Sequence, residues 1–178
     1  MRRLWTRQRA RHSQSGISMI ELLIAGVIMV VGFLALIGLV VTAIANNTRN
    51  RLDTTATMLD LMVVEAISSQ APSVGTISLT DCAGNTWNLA QQAGTGATLA
   101  GTQIDFSQAQ SSVPTDYYMN WAVCNGGTTV NALYDVRWNV QALGTYSRLV
   151  TVAAKLKGSS SGNKYYALPI NLRATVGK

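Results

Sequence analysis

The sequence predicts an α+β protein in which one long N-terminal helix packs on an antiparallel sheet of about four strands. Three observations predict it. Ile17 to Ala45 is apolar apart from Ser18, Glu21 and Thr42. Helical periodicity then continues in a polar background, with Leu52, Ala56, Leu59, Val63 and Ile67 at i, i+4, i+7, i+11 and i+15. After Gly75 the composition changes to Thr, Ser, Gly and Asn with alternating apolar residues, which is strand and turn chemistry. The expected organisation is a basic segment over 1–16, a membrane-spanning half-helix over 17–45, an amphipathic half over 46–72 and a β-rich globular domain over 73–178.

The basic segment accounts for the charge of the whole chain. Net charge is +6 and the isoelectric point is near 9.7, but Arg2, Arg3, Arg7, Arg9 and Arg11 precede every acid. The remaining basic residues nearly balance the acids, so the body lacks the clustered Lys/Arg face that nucleic-acid backbones require. The basic pI therefore reads as a targeting signal.

No charged side chain occurs from Leu22 to Thr48, and the apolar run exceeds the ~20 residues that cross a bilayer. Arginines on its N-terminal side hold that end in the cytoplasm and send the chain beyond Ala45 outward. Three readings compete: a permanent anchor, a conventional signal peptide cut after Ala43-Ile44-Ala45, and a short leader followed by an assembly helix. The apolar run is too long for a conventional signal peptide, whose core spans ~7–15 residues. A plain anchor leaves Glu21 unexplained, because an ionised acid inside the apolar boundary costs on the order of several kcal/mol.

The stretch Gln14-Ser15-Gly16-Ile17-Ser18-Met19-Ile20-Glu21-Leu22-Leu23-Ile24-Ala25 resembles the type IV prepilin signature. It has a short basic leader, a Gly, and an apolar stretch with Glu at its fifth position. The resemblance implies cleavage between Gly16 and Ile17 by a prepilin peptidase and N-methylation of Ile17, where family members more often carry Phe or Met. It also implies assembly with other pilin or pseudopilin subunits from the inner membrane. Glu21 suits that role on physical grounds too, since the best partner for a carboxylate in an apolar surrounding is an ammonium on a neighbouring helix. The alternative for Glu21 is an acid snorkelling to the headgroups. Gly26, Gly32 and Gly38, six residues apart, rotate around the helix and do not form a GxxxG stripe; they are read either as loosening the helix or as ordinary membrane-helix glycines.

Pro72 and Gly75 mark the expected end of the amphipathic half. Short strands are expected at Thr76–Leu79 and Thr86–Leu89, and a surface loop from Gln91 to Ser112 with one short strand near Ile104. An antiparallel meander of Tyr117–Cys124, Leu133–Val140, Ser147–Leu156 and Tyr165–Arg173 comes next, separated by Asn125-Gly126-Gly127, Leu143-Gly144-Thr145 and the Gly158–Gly162 serine stretch. In Tyr134-Asp135-Val136-Arg137-Trp138-Asn139-Val140 the alternation predicts one face on the core and one on water. This block, with Arg148-Leu149-Val150-Thr151-Val152, also resembles the sheet of PilV-like minor pilins and related secretion pseudopilins.

Cys82 and Cys124 are the only cysteines, too far apart for a CxxC motif or a paired zinc knuckle. A Cys82–Cys124 disulfide is expected if the domain is exported, worth ~3–4 kcal/mol; two buried free thiols are the alternative. His12 is the only histidine and would leave with the leader, so no His-dependent triad or His-bearing metal site is expected. No P-loop, GxGxxG or HExxH occurs, and no cofactor, metal or enzyme activity is expected. Tyr117, Tyr118, Trp121, Tyr134, Trp138, Tyr165 and Tyr166 interleave with Arg137, Arg148, Lys155 and Lys164, but alternate strand positions belong to opposite faces, which disfavours a nucleic-acid surface. The expected function is a PilV-like minor subunit of a type IV pilus, at the cell surface after assembly. The alternatives are a pseudopilin of a type II secretion system, in a periplasmic pseudopilus, and a monomeric membrane-anchored binding domain.

Overall fold

The computed structural model describes residues 17–71, 75–145, 147–159 and 168–177. One helix, α1 (Met19–Ser68), precedes strands β1 (Thr76–Thr80), β2 (Thr86–Ala90), β3 (Thr95–Gly96), β4 (Leu99–Ala100), β5 (Gln103–Ile104), β6 (Tyr118–Cys124), β7 (Val130–Ala142), β8 (Ser147–Ser159) and β9 (Ile170–Gly177). A 3-10 turn at Gln110–Ser112 lies between β5 and β6. The protein is an α+β protein. By its internal contacts the chain divides after Ala45 into two units.

In the first unit every described residue from Ile17 to Ile44 is exposed. At 1.5 Å per residue the helix from Met19 to Ala45 is about 40 Å long, more than the ~30 Å of a bilayer's hydrocarbon core. Its length and composition suffice to cross a membrane. Helical geometry satisfies the backbone internally, as lipid demands, and the one hydroxyl within the span does likewise: Thr42 Oγ1 donates to the Gly38 carbonyl at 2.9 Å.

In the second unit the rest of α1 packs on a five-stranded antiparallel sheet. Ala56, Leu59, Val63 and Ile67 are buried and Leu52 half-buried, the stripe expected from the 3.6-residue period. The helix ends at Ser68, where Ser68 Oγ donates to the Glu65 carbonyl and Ser69 Oγ to that of Ala66. Pro72, expected to mark this end, lies outside the described residues, as does most of the 158–162 turn.

β6, β7, β8 and β9 form the meander, and β3 adds a two-residue rung beside β6 on the same edge of β7. Tyr134, Val136, Trp138 and Val140 of β7, with Val150, Val152 and Ala154 of β8, share one buried cluster with the helix stripe. Tyr134 Oη donates to the Leu52 carbonyl at 3.0 Å, and Trp138 Nε1 to that of Ala90 at 2.9 Å. These two bonds let large aromatics go under without orphaning their polar ends. The final strand begins at Ile170. Pro169 cannot donate to a ladder, so pairing with β8 starts after it; Tyr165 lies outside the described residues.

Two expectations fail together. Gln91–Ser112 is not simply a surface loop, since Ala97 and Ile104 are buried within it and Val113 just beyond it. It contains three two-residue strands, and its part from Ala97 to Gln108 lies over the sheet face opposite the helix. That face is consequently not on water: Asp135 is 8% and Arg137 4% exposed. The covering segment is tied down by Asn139 Nδ2 donating to the Ala97 carbonyl (2.9 Å), the Ile104 amide donating to Asn171 Oδ1 (2.9 Å) and Arg137 Nη1 donating to the Gln108 carbonyl (2.8 Å).

Gly96 is where this segment comes closest to β7. A Cβ there would lie 2.5 Å from the Asn139 Cα and 2.6 Å from the Trp138 carbonyl oxygen, and its φ is +141°. Both contacts are backbone, so nothing can swing aside. Gly96→Ala is expected to detach β3 and cost about 2–4 kcal/mol by strain and lost pairing, read as a drop in denaturant midpoint.

Candidate functional site

The candidate membrane and assembly segment begins at the first described residue, Ile17, which is exposed; Gly16 lies outside the described residues. The amides of Glu21 and Leu22 both bond to the Ser18 carbonyl, at 3.0 and 3.1 Å. Ser18 therefore stands at the N-cap and Glu21 at the third helical position of α1. Ser18-x-x-Glu21 is the spacing of a capping box, a signal present in the sequence and missed there. A carboxylate in the first turn also faces the positive end of the helix dipole. Glu21 thus stands where a carboxylate suits the start of a helix, beside any partner it finds on another chain.

Beyond Glu21 the helix is apolar all round and nothing in its own unit covers it. Leu23, Val27, Val30 and Val31 flank a shallow apolar groove over Gly26. A Cβ at Gly26, Gly32 or Gly38 would meet nothing within 4 Å, so no contact within the chain requires these glycines. Each lowers local helix stability by about 1 kcal/mol relative to Ala.

Cys82 and Cys124 form a disulfide, with Cα atoms 6.0 Å apart. It joins the turn after β1 to the end of β6. Beside it Asp81, 5% exposed, organises the turn. Its Oδ1 accepts from the amides of Ala83 (3.0 Å) and Asn85 (2.9 Å). Its Oδ2 accepts from Asn85 Nδ2 (3.0 Å), Trp87 Nε1 (3.2 Å) and the Ala122 amide (3.3 Å). Burial raises its pKa, but the hydrogen bonds from Asn85, Trp87 and Ala122 outweigh it and hold the carboxyl below the usual range. The stability it contributes is present above the unfolded value near 3.8 and is lost as pH falls below it. Asp81→Ala is expected to cost about 2–4 kcal/mol in urea unfolding at pH 7, because several buried donors lose an ionised acceptor at once.

The interleaved aromatic and basic residues divide between the two faces of the sheet. Tyr134 and Trp138 belong to the helix-side core, and Arg148, at even register with them, lies on that side too. Arg137 and Lys155 lie on the opposite face, where the Phe106 ring sits 4.8 Å from Arg137 Cζ and 5.7 Å from Lys155 Nζ. Arg137 is engaged by Asp135 through Nε (3.0 and 3.1 Å) and Nη2 (2.7 Å). Lys164, Tyr165 and Tyr166 lie outside the described residues. Among the described residues no three His, Cys, Asp or Glu side chains gather where they could hold a metal ion.

Compared with known proteins, the chain matches no family model, no curated protein and no solved structure.

Proposed function

We propose that the chain is a type IV pilin-like subunit, inserted in the inner membrane, trimmed after Gly16 and assembled with other subunits through its N-terminal helix, as a minor, PilV-like component of a pilus. The observation that carries this reading is the Gly16-to-Glu21 signature standing at the start of an apolar helix exposed on every side. An apolar surface of this extent is unfavourable in water, and lipid followed by neighbouring helices accounts for it in turn. Glu21 supplies the charge that would fix register against a neighbour's new amino terminus. A type II secretion pseudopilus would use the same helix in the same way.

The position of Glu21 at the third residue of α1 supports a second reading, a monomeric anchored domain in which Glu21 serves only to start the helix. Intact mass and N-terminal sequencing of the full chain, extracted from membranes of a host that keeps its prepilin peptidase, test the first reading. A chain beginning at Ile17, with cleavage abolished in Gly16→Ala, is expected. A start at Met1 leaves the anchored domain, and a start at Asn46 leaves a secreted one.

A further inference from the structure

Arg49 and Arg51 are the first charged side chains after the apolar run. Arg49 lies 3.9 Å from Asp53, one helical turn on. All eight acidic side chains of the sequence fall at described positions, and the ion pairs among the described residues are Arg49–Asp53 and Arg137–Asp135. No acidic side chain therefore forms an ion pair with Arg51, which is exposed.

Within the second unit, Arg51 lines a pocket of about 280 Å³ between the start of the amphipathic half-helix and the turn from β6 to β7. Thr48 and Thr55 on the helix, and Asn125 and Asn131 beside the strands, give it polar walls, and Tyr134 stands at its buried end. Two of its hydroxyl protons are turned inward. Thr55 Oγ1 donates to the Arg51 carbonyl at 2.8 Å and Tyr134 Oη to that of Leu52 at 3.0 Å. The exposed residues of the lining are Arg51 and Asn125, a guanidinium and a carboxamide, and the lining contains no carboxylate. Both side chains donate hydrogen bonds, and one carries a positive charge, which is the chemistry that receives an anion.

Chain connectivity limits what this pocket meets. Thr48 follows Ala45 by three residues and Arg51 by six, a helical rise of about 5 and 9 Å. The headgroup layer on each side of a bilayer's hydrocarbon core is about 5–8 Å thick. When the apolar run occupies a membrane, Arg51 is within reach of the lipid phosphates.

We propose that this pocket binds the headgroup of an anionic phospholipid, with Arg51 donating to the phosphodiester and Asn125 to the same phosphate or to a hydroxyl beyond it. The inference rests on the membrane-inserted reading above and adds a ligand to it. A lone guanidinium matches the single charge of a phosphodiester; free phosphate, largely dianionic at neutral pH, collects further cations, and the lining has none.

The test is thermal unfolding of the full chain in lipid nanodiscs, followed by tryptophan fluorescence, with phosphatidylcholine alone against phosphatidylcholine mixed with phosphatidylglycerol. At ten times the phosphatidylglycerol fraction that half-saturates the site, the midpoint is expected to rise by about 5 °C. Inorganic phosphate added to phosphatidylcholine discs is expected to give no rise. Arg51→Gln is expected to lose the lipid response while keeping the wild-type midpoint in phosphatidylcholine, since the side chain is exposed. Asn125→Asp, which sets a carboxylate in the mouth, is expected to lose it too, and Arg49→Gln, outside the lining, to retain it. Equal midpoints in the two lipids overturn the proposal. So does an equal loss in Arg49→Gln, which reports diffuse surface charge, and so does a matching rise from inorganic phosphate, which assigns the pocket to the free anion. Alkaline extraction of the chain from liposomes of the same two compositions separates the readings. A chain stripped from both overturns the membrane reading and the lipid site together, whereas a chain that stays inserted and shows no lipid response overturns the lipid site alone.

Discussion

Replacing Asp60 by Asn is expected to stabilise the second unit by about 4 kcal/mol at pH 7 and by almost nothing at pH 4. Asp60 is fully buried on the sheet side of α1, between Ala56 and Val63, and neither carboxylate oxygen has a hydrogen-bond partner. Burial pushes its pKa from 3.8 to about 8. The folded state therefore holds a proton that the unfolded chain releases, and stability that is fully present below pH 3.8 is lost as pH rises towards 8, above which it changes no further. About three pH units separate 3.8 from 7, and at about 1.4 kcal/mol each they give the figure above. Asn keeps the size and removes the proton. Melting midpoints of both proteins from pH 4 to 9 measure the difference, in which the opposite contribution of Asp81 cancels. Parallel curves would show that water or a shifted backbone solvates Asp60 after all.

The second large effect belongs to the disulfide. Cys82 and Cys124 are 42 residues apart, and a closed loop of that size removes enough entropy from the unfolded chain to contribute about 4 kcal/mol. Cys82→Ala with Cys124→Ala is expected to lower the melting midpoint by about 10–15 °C, and a reducing agent should do the same to the wild type. Thiol titration of denatured protein taken from membranes is expected to find no free thiol before reduction. Two free thiols there would mean that the β-rich unit had not reached an oxidising compartment, which would also remove the export step from the proposed function.

The parts of the fold that sequence made legible are those with a simple period. Leu52, Ala56, Leu59, Val63 and Ile67 stand on the buried stripe, and the alternation in Tyr134–Val140 correctly assigns Tyr134, Val136, Trp138 and Val140 to the core. Polar residues at buried positions were not legible. Asp60 comes four residues after Ala56 and three before Val63, so geometry admits it to the stripe, yet its side-chain type argues the other way. Asp135 and Arg137 looked solvated for the same reason. What buries them is Gln91–Ser112, a segment of Gly, Ala, Ser, Thr and Gln with no period, whose role depends on tertiary anchors such as Asn139 and Asn171. Within the candidate site, Gly16, Ile17 and Glu21 came from a motif; the local contribution of Ser18 to the helix start needed the backbone bonds to become visible.

The order of elements along the chain has a consequence for biosynthesis. A ribosome delivers the helix stripe from Leu52 to Ile67 first, and the strands that cover it, β6 to β9, begin only at Tyr118. During that interval the growing chain carries two uncovered apolar surfaces in tandem, one suited to lipid and one suited to a sheet not yet made. A nascent chain of this kind depends on prompt delivery to a membrane, or on a holding chaperone, until the last strands arrive.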